Sequence, residues 1–143
     1  MANHTYSHLI FNGLYSSTNS FITQVQKQEQ LIKERTGLTT NIVRFPGGIA
    51  SSGSLRNSIT AKLKEMGYGW VDWTASNGDG GWVGDKDTAL KNLKKTIDED
   101  IEVILFHDYS YATLAALPEA IEYLRNNNYI LLPLFYESKM INK

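Results

Sequence analysis

The alternation of short apolar runs with amphipathic helical stretches constrains the fold of this chain more than any other feature. Runs of strand type fall at residues 41–45, 68–74, 102–106 and 129–135, and a helical pattern separates each run from the next. A strand that returns through a helix to the same sheet forms a right-handed crossover and lies parallel to its predecessor. The sequence therefore predicts an α/β fold in which parallel strands alternate with helices.

The helices themselves are predicted from apolar residues that recur at helical spacing. The first is expected from Phe21 to Arg35, with Ser20 as N-cap and Gly37 as its stop. The third begins near Asp87. The second, third and fourth helices are each indicated by an apolar face. In the second helix, with Ser54 as N-cap, the face is Leu55, Ile59, Leu63 and Met66. In the third it is Leu90, Leu93 and Ile97, and in the fourth, with Thr113 as N-cap, it is Leu114, Leu117, Ile121 and Leu124. With 143 residues, these elements are expected to form one domain, residues 1–143.

Charge and composition exclude several classes of function. The net charge of −1 gives no electrostatic basis for binding nucleic acid, so no nucleic-acid partner is expected. Without cysteine, the chain has neither disulfides nor thiolate metal sites. No apolar run approaches the roughly 18 residues of a membrane span, and no signal segment is recognisable, so neither a membrane segment nor an export signal is expected.

Two of the three histidines, His4 and His8, lie four residues apart. On a helical turn this spacing brings both imidazoles to one face, where they can bind one divalent metal such as zinc. A catalytic zinc usually takes three protein ligands, but the first acidic residue is Glu29, so an incomplete site is expected. Thr5 stands where the zinc proteases of the H-E-x-x-H type carry glutamate, which excludes that class. In isolation such a pair is more often two surface histidines.

Several polar or aromatic residues follow directly at the ends of the predicted strands: Arg44, Asp72, Trp73 and His107. In parallel α/β folds, reactive groups gather at the carboxyl ends of the strands. The same four positions are therefore candidates for a catalytic site.

Three stretches, taken in order, resemble a known set of motifs: His4-Thr5-Tyr6-Ser7-His8, Arg44-Phe45-Pro46-Gly47-Gly48 and Leu105-Phe106-His107. They are similar to the motifs of the polysaccharide deacetylases, the family-4 carbohydrate esterases. The resemblance implies an incomplete distorted (β/α) barrel that removes N-acetyl groups from a polysaccharide such as peptidoglycan or chitin. It also implies a divalent metal, most often zinc, with His4 and His8 as ligands, and an extracellular or cell-envelope location.

The resemblance further implies roles for single residues. His107 would be the general acid that protonates the departing amine, and Arg44 would hold the catalytic aspartate. The backbone N–H of Gly47 would stabilise the oxyanion, although family members often carry tyrosine at this position. Leu105 and Trp73 would line the acetyl pocket. The ordinary structural explanations are a satisfied histidine at a strand end for His107, a solvated charge for Arg44, and core positions for Leu105 and Trp73.

The resemblance also implies a carboxylate that hydrogen-bonds to the general acid His107 and favours its protonated form, and two aspartates are alternatives for it. The family places an aspartate next to a tryptophan, and both Asp72, which precedes Trp73, and Asp79, in the run Ser76-Asn77-Gly78-Asp79, match this pattern imperfectly. The sequence does not choose between them.

The family's threonine-phenylalanine-aspartate-aspartate-glycine motif, which supplies the catalytic base and an aspartate ligand upstream of the histidine pair, is absent from this chain. The expectations are therefore a domain without its N-terminal portion, impaired deacetylation, and a homo-oligomer formed through an open sheet edge. The alternatives are an inactive domain that still binds glycans or a metal, and an unrelated flavodoxin-like fold. For the latter, Pro46-Gly47-Gly48 is a poor phosphate loop.

Overall fold

This computed structural model describes residues 1–81 and 83–134, which fall into two compact units, Met1–Asp72 together with Leu134, and Trp73–Pro133. Within the described residues, helices alternate with short parallel strands and no closed barrel forms. The predicted α/β class is confirmed. Whether residues 1–143 act as one domain stays a prediction.

The first unit is built around the parallel pair β1 (Ile42–Arg44) and β2 (Gly69–Val71). Helix α1 (Thr18–Thr36) packs against α2 (Arg56–Glu65), and the 3₁₀ helix Ile49–Leu55 precedes α2. The edge of β1 opposite β2 is occupied by the N-terminal segment, where Asn3 forms a parallel bridge with Val43. The core includes buried apolar side chains from both helices, from β1 and from the residue after β1: Phe21, Ile22, Val25, Val43, Phe45, Ile59 and Leu63.

The second unit repeats the strand-helix-strand arrangement with even shorter strands. Strand β3 (Ala75–Ser76) pairs in parallel with β4 (Ile104–Leu105), and helix α3 (Lys86–Thr96) connects them. Helix α4 (Tyr111–Asn126) follows β4 and packs against α3. The core between these helices contains Ala89, Leu90, Leu93, Ala112, Ala116 and Ala120.

The predicted element boundaries need correction at several ends. Helix α1 is capped by Ser17, whose side chain accepts from the N–H of Ser20, because Ser20 is already helical. Likewise α4 is capped by Ser110 and not by Thr113, and α3 by Asp85. Helix α2 has no side-chain cap, because Ser54 lies in the preceding 3₁₀ helix. Gly37 does end α1, in a left-handed conformation.

The strand predictions also need two corrections. Ala75 and Ser76 pair with β4, although neither residue falls within a predicted strand run. Residues 129–134, expected to begin the last strand, form no ladder, and Ile130 and Leu132 are exposed. A strand requires a neighbour that accepts its backbone hydrogen bonds, and apolar composition alone does not supply one. Phe135, the last residue of that predicted strand, lies outside the described residues.

No helix in the described ranges combines the length and the apolar character needed to cross a bilayer.

Candidate functional site

The imidazoles of His4 and His8 lie side by side, with ring centroids 4.8 Å apart and an interplanar angle of 64°. The helical turn expected for this segment is wrong. Residues 6 and 7 form a bend, and Thr5 and His8 on either side of it have φ values of 64° and 55°. Both side chains are exposed at the end of β1. The turn, and not helical periodicity, brings the two rings together.

A hydrogen bond to the strand fixes the tautomer of His4. Its Nδ1 lies 2.7 Å from the carbonyl oxygen of Arg44. Because a carbonyl only accepts, Nδ1 must carry the proton, which leaves the lone pair of the neutral ring on Nε2. A metal-binding histidine is usually held in this way, with its other ring nitrogen donating to a carbonyl or carboxylate.

The donor set at this turn fits a divalent metal in part. Two neutral imidazoles suit zinc, but among residues 1–81 and 83–134 no group of three histidine, cysteine, aspartate or glutamate side chains could hold a metal ion. His4 and His8 therefore fit as two members of a ligand set.

Arg44 and Asp72 form an ion pair at the ends of β1 and β2. Nη1 of Arg44 contacts Oδ1 of Asp72, whose side chain is buried. The other carboxylate oxygen, Oδ2, accepts from the backbone N–H of Ile49 at 3.0 Å. Asp72 thus ties both strand ends to the start of the 3₁₀ helix Ile49–Leu55.

Asp79 is the aspartate that contacts His107. Oδ1 of Asp79 lies 2.7 Å from Nδ1 of His107, and Oδ2 accepts from the backbone N–H of His107 at 2.8 Å. The hydroxyl of Thr113 also donates to Oδ2. Asp79 is 4% exposed, whereas the His107 side chain keeps 30% of its surface accessible. The structure therefore separates the two alternatives: Asp72 pairs with Arg44, and Asp79 orients His107.

The electrostatics of Asp79 follow from these contacts. Burial would raise the pKa of its carboxyl group, but the hydrogen bonds from His107 and Thr113 outweigh burial and hold that pKa below its ordinary value. Asp79 therefore stays ionised and accepts the Nδ1 proton, which makes Nε2 the ring nitrogen that Asp79 does not contact. The neighbouring Gly80 is required by the same packing, because a Cβ there would lie 2.9 Å from Cε1 of His107.

Gly47 lies in an exposed turn after β1 with φ = +69°. A Cβ at this position would stand 2.6 Å from Oγ of Ser51 and 3.1 Å from Cδ1 of Ile10. The tyrosine that the family often carries here therefore does not fit this turn. Trp73, directly after Asp72, and Leu105, in β4, are both half-buried.

A polar groove of about 300 Å³ begins beside the histidine pair, at Ser7. Its walls come from the turn after the 3₁₀ helix Ile10–Asn12 and from the first turns of α1. The lining carries hydroxyl and amide groups and no charge: Ser7, Asn12, Gly13, Leu14, Asn19, Ser20, Thr23 and Gln24.

Sequence reasoning missed three residues that support these groups: Asn3, Asn77 and Thr113 as a partner of Asp79. Asn3 and Asn77 are essentially inaccessible, with exposed fractions of 0% and 1%. The signal that would have revealed them is an asparagine one or two residues before a functional position, where its side chain can accept from the backbone N–H two residues ahead.

Comparison with known proteins supports this description of the chain. The family model of polysaccharide deacetylases matches residues 1–71. The curated Bacillus subtilis protein YheN, a polysaccharide deacetylase by name, is 29% identical over 120 residues, which is 80% of this chain and 42% of YheN.

Two solved structures extend the comparison to almost the whole chain. The catalytic domain of a peptidoglycan N-acetylglucosamine deacetylase from Eubacterium rectale is 26% identical, with a TM-score of 0.91 over 99% of this chain and 68% of that structure. A family-4 carbohydrate esterase pseudoenzyme from Bacillus anthracis shares the fold at 24% identity, with a TM-score of 0.74 over 90% of this chain and 42% of that structure. The chain thus spans less than half of YheN and about two thirds of the Eubacterium domain. By sequence, residues 1–71 match the polysaccharide deacetylase family, and almost the whole chain is similar in fold to a solved deacetylase domain.

Proposed function

We propose that this chain binds a divalent metal through His4 and His8 and acts in the hydrolysis of N-acetyl groups on a polysaccharide. The observation that carries the proposal is the convergence of the two imidazoles, 4.8 Å apart, with the His4 tautomer fixed by the Arg44 carbonyl. Zinc is the metal that two such nitrogens favour. When bound, it would supply Lewis-acid polarisation of the acetyl carbonyl and activation of water.

His107 is the proposed source of the proton for the leaving group. In hydrolysis of an N-acetyl group, water adds to the carbonyl carbon, the C–N bond breaks, and the amine nitrogen takes a proton. Nδ1 of His107 is held by Asp79, so the transferable proton is on Nε2, and the ring keeps enough exposed surface to meet a substrate. Asp79 acts through His107 by fixing the orientation of its ring.

The oxyanion donor and the strand-end ion pair complete the proposed roles. The N–H of Gly47 would donate to the carbonyl oxygen as negative charge develops, and its exposed turn leaves the backbone accessible. Arg44, at the end of β1, pairs with Asp72, at the end of β2, and this pair fixes the strand whose carbonyl sets the His4 tautomer. Half-buried Trp73 and Leu105 are proposed to contact the acetyl group.

A polysaccharide with N-acetylglucosamine units is the proposed substrate class. The groove that begins at Ser7 is neutral and carries hydroxyl and amide groups, which suits the hydroxyls of a sugar. The name of the Eubacterium relative refers to peptidoglycan N-acetylglucosamine, and a peptidoglycan-like substrate would place the activity at the cell envelope or outside the cell.

The test measures zinc binding and amine release on the same set of variants. Zinc affinity is measured by titration calorimetry for the wild type and for His4→Ala, His8→Ala and His107→Ala. Release of primary amine is measured on N-acetylglucosamine oligomers and on peptidoglycan. We expect the wild type to bind zinc more weakly than a complete three-ligand site and each N-terminal variant to lose it. His107→Ala should keep it, as the matched control.

Amine release from the isolated chain should be low. A missing general base typically lowers the rate by a factor of ~10²–10⁴, and no third ligand group is available among the described residues. Residual turnover should disappear in His107→Ala. Zinc binding that persists unchanged in His4→Ala and His8→Ala, or amine release that His107→Ala leaves intact, would contradict the proposal.

A second candidate is a domain that binds metal or glycan without turnover. The two-histidine donor set favours it, since two ligands are fewer than a catalytic zinc normally takes. Zinc and oligosaccharide binding without amine release, in the wild type as well as in His107→Ala, would identify this alternative.

A further inference from the structure

Each of the two groups described above is tied to its unit by one inaccessible asparagine. We infer that Asn3 and Asn77 are positioning residues, Asn3 for the His4–His8 pair and Asn77 for the Asp79–His107 pair. The inference rests on the proposed function, which takes the first pair as metal ligands and the second as the proton donor with the aspartate that orients it.

Asn3 connects the histidine turn to both β1 and α1. Its backbone N–H donates to the carbonyl of Ile42 at 2.8 Å, and its backbone carbonyl accepts from Arg44 at 2.8 Å. Its side-chain Nδ2 donates to the carbonyl of Val25 in α1 at 2.9 Å. With an exposed fraction of 0%, the side chain cannot exchange these partners for water. The residue just before His4 is therefore fixed from two sides.

The remaining side-chain atom of Asn3 controls the backbone of the turn. Oδ1 accepts from the N–H of Thr5 at 3.0 Å, two residues ahead. Thr5 has φ = 64°, a conformation that is unfavourable for a β-branched residue and that persists only where its surroundings hold it. Since this turn brings the rings of His4 and His8 together, Asn3 holds the strained residue on which their convergence depends.

Asn77 repeats the same arrangement in the second unit. Its Oδ1 accepts from the N–H of Asp79, again two residues ahead, at 3.2 Å. Its Nδ2 donates to Oγ1 of Thr113 at 2.7 Å, and that hydroxyl donates onward to Asp79. Asn77 thus reaches Asp79 both through the backbone and through Thr113, and Asp79 in turn holds His107.

The chemistry of the asparagine side chain explains its use at both positions. One carboxamide supplies an acceptor for the N–H two residues ahead and a donor for a more distant group. Alanine would remove both hydrogen bonds at once, and the N–H two residues ahead would lose its asparagine acceptor. Serine can still accept from the N–H two residues ahead, more weakly, but lacks a second group to reach Val25 or Thr113.

The test compares Asn3→Ala and Asn77→Ala, each serving as the control for the other. The readout is the pair of ring nitrogen signals of each histidine, recorded by ¹⁵N NMR on metal-free protein, which reports tautomer and ordering without any turnover. Asn3→Ala should change the His4 signals and leave those of His107 in place, and Asn77→Ala should do the reverse. Zinc affinity should fall roughly 10- to 100-fold in Asn3→Ala and stay near the wild-type value in Asn77→Ala.

The serine variants keep the test informative if an alanine variant does not fold. Asn3→Ser and Asn77→Ser should each retain part of the order of its own histidine signals. The inference is overturned if a folded alanine variant leaves its own pair unchanged, if either variant disturbs both pairs equally, or if the serine and alanine variants match. A selective change in the ring signals supports it even where the wild type neither binds zinc nor releases amine, an outcome that would contradict only the proposed function.

Discussion

Asp79 accepts hydrogen bonds with both carboxylate oxygens although its side chain is buried. Because these bonds lower its pKa, the folded state holds the carboxylate ionised more strongly than the unfolded chain does. The resulting stabilisation is fully present above the ordinary aspartate pKa of about 3.9. It is lost as the pH falls below that value and through the lowered pKa of the folded state.

We therefore expect Asp79→Asn to reduce the pH dependence of stability on the acid side. The wild type should lose stability between about pH 5 and the acid limit more steeply than the variant, whose amide does not titrate. Urea unfolding followed by circular dichroism, repeated across this pH range, measures the difference. The matched control is Asp108→Asn, which removes an exposed carboxylate next to His107. Equal acid slopes for the wild type and Asp79→Asn would contradict the linkage.

The glycine at position 47 explains a departure from the family pattern. A left-handed conformation costs an L-residue roughly 1–2 kcal/mol, and here the Cβ would also meet Ser51. Comparison of the motifs alone shows only that a tyrosine is missing. The φ value of +69° shows that the turn itself has a shape in which a side chain is disfavoured.

At the level of elements, the capping residue of α4 connects stability to the site. The hydroxyl of Ser110 accepts from the N–H of Thr113 at 3.2 Å, and Thr113 is the residue whose side chain holds Asp79. Replacement of a serine N-cap by alanine typically costs about 1 kcal/mol.

We expect Ser110→Ala to lower the free energy of unfolding by about 1 kcal/mol and Ser110→Asp, which can still cap the helix, to keep most of it. Urea unfolding midpoints measure both changes. An alanine variant as stable as the wild type, or an aspartate variant as unstable as alanine, would show that the cap contributes nothing here.

Helix positions could be predicted from the sequence because periodic apolar faces such as Ile59 and Leu63 report directly on the core. The exact capping residues could not be predicted. Helix α1 is preceded by a run of hydroxyl residues, and only the backbone conformation decides that Ser17 accepts the hydrogen bond from the N–H of Ser20. Strand β3 was missed because two residues are too few to show a periodic pattern. Residues 129–134 were wrongly predicted to form a strand, because apolar composition does not supply a strand partner.

The candidate site shows the same limit. Motif spacing marked His4, His8, Arg44 and His107, but the assignment of Asp79 to His107 depends on which loop returns to the end of β4, a long-range contact that no local pattern encodes. The support from Asn3 likewise depends on pairing between the N-terminal segment and β1.

At the scale of the whole molecule, several large apolar side chains of the second unit face solvent. Leu114, Ile130 and Leu132 are 69%, 81% and 80% exposed. Strand β4 has β3 on one side, and no described strand pairs with its other edge. Unpaired strand edges and exposed apolar surface both favour association.

We therefore expect the chain to self-associate at micromolar concentration. Leu132→Lys should shift the population toward monomer, because it places a charge among the exposed apolar residues. Asn126→Lys, which adds the same charge at an exposed polar position of the same unit, should not. Sedimentation velocity over a range of concentrations measures the populations. A wild type that stays monomeric throughout, with cooperative unfolding, would contradict the expectation.

The pairing of the strands also bears on how the chain reaches its folded state. Ile42 pairs with Gly69, and Ala75 with Ile104, so each ladder joins two strands that are separated by a single helical connection. Loops of this length close at modest entropic cost, and contacts between residues near each other in sequence form early during folding. Neither ladder draws a strand from the other unit. Each ladder can therefore form from strands of its own unit, without a strand from the other.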